Sequence, residues 1–227
     1  MKLLLRLAAA LLGAGALAAL AVYAFVHEPR PTGIPGPAAE ALADRLLAAV
    51  DAAAWDTTAY VAWDFDGRQR YRWRRDVDSV EVRWGDVAVD LDTETVTGTA
   101  RRGGELLTGD EAREAVERAW AHFCNDSFWL AAPFKVRDPG TARAVVALEG
   151  GGEGLLVTYA SGGVTPGDAY LWELGPDGLP AAYRMWTSLI PVGGVRATWE
   201  DYRALPSGAR VATAHRLGPL AIEVDVE

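Results

Sequence analysis

Over most of its length the chain alternates apolar and polar residues with a period of two, in short segments separated by turn residues. In one such segment Val61, Trp63 and Phe65 fall on one face, and Asp66-Gly67 follows them, a dipeptide that hairpin turns favour. A period of two puts every second side chain on the same face of a strand. The pattern therefore predicts a series of antiparallel strands, each with one buried and one solvated face.

Segments of this kind continue to the C-terminus. The predicted strands are 60–65, 70–74, 80–84, 87–91, 142–149, 155–160, 169–174, 181–187, 195–203, 209–216 and 219–226. Because neighbouring strands twist relative to one another, a sheet of about ten strands curls instead of staying flat. With two predicted helices, the fold class is α+β: a large curved antiparallel sheet, an unclosed β-barrel, with helices on its concave side.

Two amphipathic helices are predicted, over 38–54 and 110–123. Pro37 suits the first position of the first helix, because its missing N–H has no partner there in any case. At the start of the second helix, Thr108 and Glu111 fit a capping box. The predicted apolar face of the first helix consists of Leu42, Leu46, Val50 and Ala53. The predicted stripe of the second consists of Ala112, Val116, Ala119, Trp120 and Phe123.

The N-terminus carries a long uncharged run behind two cations. Lys2 and Arg6 precede Leu7–Val26, twenty residues without a charge. As a helix this run is about 30 Å long, which matches a bilayer core and exceeds an ordinary secretory signal. The small-residue sequence Val22-Tyr23-Ala24 leaves a cleaved signal peptide open as the alternative to a transmembrane anchor. The two cations favour a cytoplasmic N-terminus and export of the remainder.

These features divide the chain into three parts. Residues 1–26 are a signal peptide or transmembrane anchor, 27–37 are a linker with four prolines and two glycines, and 38–227 are a single exported β-rich domain. The expected location is the bacterial cell envelope. The domain is anchored in the inner membrane through residues 7–26, or is free in the periplasm if the leader is cleaved.

Composition excludes several classes of function. The formal net charge is −9, so clustered cations for nucleic acid are not expected. The single cysteine, Cys124, cannot form an internal disulfide or a cysteine-rich metal centre. His27, His122 and His215 lack the short spacing of a zinc site. No metal or cofactor is therefore predicted.

Groups capable of catalysis come together at one place only. His122, Cys124, Asn125 and Asp126 are crowded, but residues 122 and 124 point to different sides of a helix. The favoured interpretation is a helix C-terminus with a buried cysteine and a capping asparagine. The sequence therefore predicts a protein that is not an enzyme.

Three later stretches together resemble a known family. They are Asn125-Asp126-Ser127-Phe128-Trp129-Leu130 with Pro133-Phe134-Lys135 and Asp138-Pro139-Gly140; Val164-Thr165-Pro166-Gly167-Asp168 with Tyr170 and Trp172; and Trp199, Asp201 and Tyr202 with Leu205-Pro206-Ser207-Gly208. The chain is similar here to exported bacterial proteins of unknown function, distantly related to the LolA/LolB-like outer-membrane lipoprotein carrier superfamily. The resemblance covers roughly 59–227. It implies an unclosed antiparallel barrel with helices against its concave face, and an apolar cavity for acyl chains.

Nine tryptophans are many for a chain of 227 residues. As large rings on strand faces they are either ordinary core residues or contacts for an apolar ligand. The candidate ligand-binding residues are Trp63, Trp73, Trp84, Phe128, Trp129, Phe134, Trp172 and Trp186. The function expected from them is non-catalytic binding of a lipid, a lipidated peptide or another apolar ligand in a half-open barrel. The alternative is a structural or protein-interaction module of the envelope, with its interior filled by its own side chains.

Overall fold

In a computed structural model, the structure describes Tyr23 and residues 26–161 and 165–227. The predicted signal or anchor segment 1–26 therefore lies almost wholly outside the described residues, as does Val164 of the family-like stretches. A search of the described residues for a helix that is long and apolar enough to span a bilayer finds none.

One antiparallel sheet of fourteen strands dominates the molecule. The strands are β1 Tyr60–Phe65, β2 Gln69–Arg74, β3 Ser79–Trp84, β4 Val87–Asp92, β5 Thr97–Arg102, β6 Glu105–Leu106, β7 Thr141–Ala147, β8 Glu153–Tyr159, β9 Ala169–Leu174, β10 Pro180–Trp186, β11 Val195–Thr198, β12 Glu200–Ala204, β13 Arg210–Leu217 and β14 Leu220–Val226. Their spatial order is β6-β5-β4-β3-β2-β1-β14-β13-β11-β10-β9-β8-β7, and β12 pairs with β13 outside this path. The sheet is open, with β6 and β7 at its two ends, so the predicted α+β class with one large antiparallel sheet is confirmed.

Between residues 27 and 227, the described part of the chain has three α-helices beside the sheet: α1 Pro37–Ala49, α2 Ala52–Asp56 and α3 Gly109–Ala131. Short 3₁₀ turns cover Arg75–Val77 and Ala132–Lys135. α1 packs against β7 and β8, whereas α3 packs against β3, β4, β5 and β13. Both helices contribute to the same large apolar core, so they cover the same face of the sheet.

The first hairpins agree with the sequence pattern. Trp63 pairs with Tyr71 across β1 and β2, and both side chains are almost fully buried. Asp66 and Gly67 both have positive φ, as the predicted turn requires. The arginines of β2 lie on the opposite, solvated face, where Arg70 contacts Asp64. This period-two alternation directs the aromatic rings to the covered face.

The prediction lacks β5 and β6, and the structure divides one predicted strand into two. β5 has small and charged residues in place of a bulky alternating pattern, and of its side chains only Ala100 is buried. Its Gly98 is required by close packing, because a Cβ atom there would stand 2.2 Å from the carbonyl oxygen of Asp90. The predicted strand 195–203 breaks at Trp199, whose N–H bonds to the carbonyl of Ala181. A single backbone hydrogen bond such as this one leaves no mark in the hydrophobic pattern of the sequence.

The first predicted helix is too long at its C-terminus. Asp51 adopts a left-handed conformation, φ 55°, and separates α1 from α2. As a result Ala53 is exposed, and the next buried side chain is that of Trp55. The buried face of α1 proper consists of Ala39, Ala43 and Leu46, with Val50 just beyond it.

The second predicted helix is too short, and its capping interactions are wrong. α3 continues eight residues beyond Phe123 because its final turns bury Trp129 and Leu130 against the sheet. Thr108 occupies the N-cap position but makes no side-chain capping bond, and Glu111 pairs with Arg102 instead. The predicted helix end at residues 124–126 is therefore also wrong: Asn125 lies inside the helix and caps nothing.

Candidate functional site

The face of the sheet beneath α1 and α3, called the inner face here, is lined with aromatic rings. Its largest fully buried side chains include Trp63, Tyr71, Trp172 and Tyr183. Tyr71 belongs to β2 and Tyr183 to β10, so the aromatic lining extends across six neighbouring strands of the sheet. Each ring is placed there by the period-two alternation of its strand.

Aromatic residues of α3 meet this lining along the helix. The Phe123 ring lies 5.1 Å from that of Trp73, in an edge-to-face arrangement. One and a half turns later, the Phe128 ring lies 4.7 Å from that of Tyr170. The spacing within α3 thus lets one helix contact widely separated strands, and α3 forms the cover of the inner face.

A second group of rings lies beneath the C-terminal end of α3. Trp172 stands 5.1 Å from Trp199 and 5.1 Å from Tyr183, measured between ring centroids. His215 lies 4.6 Å from Trp199 and 5.2 Å from Trp129 of α3. Offset and edge-to-face pairs at these distances are each worth about 0.5–1.5 kcal/mol beyond their buried area.

Several polar atoms on the inner face are buried without a hydrogen-bond partner among the described residues. They are Trp63 Nε1, Tyr159 Oη, Trp172 Nε1, Trp199 Nε1 and His215 Nε2. An indole N–H is a donor and cannot satisfy another indole. Leaving a buried donor or acceptor unpaired costs about 1–3 kcal/mol, and native structures contain a few such groups per hundred residues.

Of these groups, His215 is the one whose ordinary pKa lies closest to neutral pH. Burial lowers its pKa to about 4, and the hydrogen bond to the carbonyl of Thr198 offsets only part of that effect. Because a carbonyl only accepts, the proton of the neutral ring lies on Nδ1, 3.0 Å from that oxygen. Nε2 then carries no proton and has no hydrogen-bond partner among the described residues.

A buried polar pair joins α3 to the sheet. The Tyr71 hydroxyl donates to Asp126 Oδ2, and Asn125 Nδ2 donates to Oδ1 at 2.8 Å. Burial raises the pKa of the Asp126 carboxyl, and the two hydrogen bonds only partly offset that rise. Burial, together with the Asp126 charge, also raises the pKa of Tyr71. Position 126 was noticed in the sequence as a neighbour of Cys124 and as part of a family-like stretch, and nothing in the pattern indicated its partner.

The structure places seven of the eight predicted residues around the large core. Trp63, Trp129 and Trp172 are buried, and four others are partly buried: Trp73, Trp84, Phe128 and Phe134. Phe134 stacks on Trp55 of α2, with 4.3 Å between the ring centroids, and Trp55 in turn lies beside Trp73 of β2. Trp84 instead lies beside His122, 5.4 Å away.

The eighth predicted residue, Trp186, is on the other face of the sheet. It packs against a small cluster of Leu156, Ala169 and Leu171, and its Nε1 donates to the carbonyl of Glu28. It therefore does not join the other seven. Sequence reasoning missed Tyr71, Tyr170, Tyr183 and Trp199, although their alternation with neighbouring residues carried the same signal as the selected tryptophans.

The single cysteine and the metal-binding residue types can be located within the described residues. Burial raises the pKa of the Cys124 thiol to about 12, which leaves it as an unreactive thiol at neutral pH. No group of three or more metal-binding side chains occurs within the described part of the chain.

Two surface clefts lie outside the inner face. One, of about 540 Å³, lies between the β5–β6 hairpin and the start of α3. The other, of about 780 Å³, lies on the outer face between Glu28–Pro31 and Trp186.

Comparison with protein-family models finds no match for the chain, and comparison with curated proteins finds no similar sequence. Function must therefore be argued from the geometry of the inner face.

Proposed function

We propose that this is a non-catalytic protein of the cell envelope that binds a lipid, a lipidated peptide or another apolar ligand. The ligand lies against the inner face of a half-open, LolA-like barrel, with α3 as a cover that moves aside. The leader anchors the domain to the inner membrane or directs it to the periplasm.

The reach of α3 supports a curled sheet. Glu111 pairs with Arg102 of β5, and the ring of Phe128 lies 5.9 Å from that of Tyr159 in β8. These helix positions are about 26 Å apart along the axis. β5 and β8 are ten neighbours apart in the sheet, about 48 Å if it were flat. A sheet that wraps around α3 would account for contacts of one helix with both strands.

The observation that carries the proposal is the set of buried polar atoms without partners on an aromatic surface. Trp172 Nε1 and Trp199 Nε1 are donors, and His215 Nε2 is an acceptor. Ring faces suit an acyl chain, and indole donors suit its carboxyl or ester oxygens. Binding would therefore relieve a desolvation cost that the closed protein retains.

The proposed opening separates α3 from the inner face of the sheet. The N-terminal half of α3 is fastened to β5 by an exposed ion pair, which is worth little, and packs on the sheet through the small buried side chains of Ala115 and Ala119. Its C-terminal half is held by aromatic contacts and by the bond between Tyr71 and Asp126. A ligand that takes over the ring contacts of α3 compensates for much of the contact energy that is lost when α3 leaves the sheet.

Titration of residues 27–227 with a fluorescent fatty acid tests this function. We expect saturable binding, weakened about tenfold or more in Trp129→Leu, which removes a ring of α3 that packs on the inner face. Trp186→Leu is the matched control, because it removes the same ring from the outer face. Absence of saturable binding, or equal weakening by the two variants, contradicts the proposal.

The close packing of the inner face favours a second candidate function, a structural or protein-interaction module without a small ligand. Trp63, Trp172 and Tyr183 are each 1% exposed or less. If the interior stays closed, the fatty-acid titration gives no binding and the surface clefts become the functional regions.

A further inference from the structure

The chain enters the folded domain at a fixed point. Gly193 N donates to His27 Nδ1 at 3.0 Å, and Glu28 N donates to the carbonyl of Gly193 at 3.0 Å. Trp186 Nε1 donates to the carbonyl of Glu28 at 2.7 Å. A Cβ atom on Gly193 would stand 2.4 Å from the Trp186 ring, so this contact needs glycine. Residues 27 and 28 are therefore bound to the loop 187–194.

This loop and the β13–β14 turn lie at the same end of the sheet. β11 begins directly after the loop, and Ala197 of β11 pairs with Leu217 of β13 in antiparallel register. The start of β11 and the turn at Gly218-Pro219 therefore point the same way along the strand axis. We call this the entry end of the sheet.

Exposed aliphatic side chains gather at the entry end. Leu189, in the loop, and Leu220, just after the turn, are each 61% exposed, and Val26 directly precedes His27. Scattered exposed leucines are ordinary, but these three aliphatic side chains lie around the point where the chain enters the domain. Together they form an apolar surface that is available for contact.

The sequence upstream indicates what this surface meets. The uncharged run Leu7–Val26 stops directly before His27, which is fixed to the sheet. One residue spans at most about 3.5 Å, so a bilayer that holds the run begins close to Leu189. We infer that the entry end rests on that bilayer and that Leu189 and Leu220 enter the boundary between headgroups and acyl chains. This inference rests on the proposed envelope function with the leader retained.

The docked orientation sets the direction from which a lipid would reach the inner face. The strands stand with one end on the membrane, so an acyl chain leaving the bilayer would reach the inner face from the entry end. The opposite end, which includes Val77 after β2, points away from the lipid.

Site-specific fluorescence on the full chain tests the docking. Cys124 is the only cysteine, so Cys124→Ala gives a background for Leu189→Cys, Leu220→Cys or Val77→Cys labelled with nitrobenzoxadiazole. Val77 is the matched control, because its 55% exposure is close to that of the two leucines. Each protein is reconstituted into phosphatidylcholine vesicles with and without doxyl-labelled lipid, and circular dichroism checks its fold.

We expect labels at 189 and 220 to shift to the blue and to be quenched at least about twofold more than the label at 77. Equal quenching at all three sites, or a full chain that does not sediment with the vesicles, overturns the inference. Fatty-acid binding by residues 27–227 is measured without the leader. A failure there would contradict the proposed ligand role, and a failure of the vesicle experiment would contradict the docking alone.

Discussion

The hydroxyl of Tyr71, in β2, donates a hydrogen bond to the carboxylate of Asp126, in α3, inside a mostly apolar core. Asp126 is 3% exposed and Tyr71 is 1% exposed. This pair fixes the rotation of the covering helix against the strands, because no other residue of α3 can reach the same hydroxyl without turning the helix. It also makes the stability of the covered state depend on pH.

Substitutions at Asp126 should separate hydrogen bonding from charge. Asp126→Ala leaves the Tyr71 hydroxyl buried and unpaired, so we expect the free energy of unfolding to fall by about 1–3 kcal/mol. Asp126→Asn keeps an acceptor and should cost less. Urea unfolding of both variants measures the difference, and equal losses would show that the bond to Tyr71 is unimportant.

The same carboxyl gives a pH signature. Its folded-state pKa is raised above the ordinary value of 3.8, so its contribution to stability is fully present below that value. The contribution is lost as the pH rises through the raised pKa. Relative to Asp126→Asn, the unmodified protein should therefore lose stability as the pH is raised from acid towards neutral. Parallel stability curves would contradict the raised pKa.

His215 should change the pH dependence of stability in the direction opposite to that of Asp126. Its pKa is lowered from 6.5 to about 4, so its contribution is present above pH 6.5 and is lost as the pH falls through 4. We expect a loss on the order of 3 kcal/mol over this range, which is absent in His215→Phe, a variant that keeps a ring beside Trp199. Unfolding at several pH values measures it. The prediction fails if the difference between the two proteins is the same at pH 4 and pH 7.

The sequence predicted the strands of the aromatic lining better than it predicted the cover. Trp63 and Tyr71 face inward because alternation alone decides the face of a strand. The extent of α3 depended on Trp129 and Leu130 meeting distant strands, which a local period cannot reveal. Trp186 was chosen by residue type, and its position on the outer face follows from the parity of β10, which the prediction did not apply to it. The bond between Tyr71 and Asp126 joins residues 55 positions apart and had no local signal.

The segment before α1 should be held to β7 by a glycine. Ile34 and Val145 exchange backbone hydrogen bonds of 2.8 and 2.9 Å, and a Cβ atom on Gly33 would stand 2.6 Å from that of Ala144. Gly33→Val should therefore displace the segment and speed hydrogen exchange at the Ile34 and Val145 amides by about tenfold or more. Gly150→Val is the control, because a Cβ atom there meets nothing within 4 Å. Unchanged exchange in Gly33→Val would refute this account of the contact.

The packing of α1 should depend on Leu46, which is fully buried. We expect Leu46→Ala to lower the free energy of unfolding by about 2–5 kcal/mol, through lost burial and a residual cavity. Leu220→Ala removes the same atoms from a side chain that is 61% exposed and should stay within about 0.5 kcal/mol. Thermal and urea unfolding of residues 27–227 provide the comparison, and similar losses for both would contradict the assigned burial.

The central claim, that the inner face holds an apolar ligand, is tested most directly by native mass spectrometry with lipid identification on the protein isolated from its own envelope. The account predicts a bound species of lipid mass in the unmodified protein and in Trp186→Leu, and its loss in Trp129→Leu. A clean apoprotein mass in all three, after gentle detergent removal, would contradict the ligand role and leave the filled interior of a structural module.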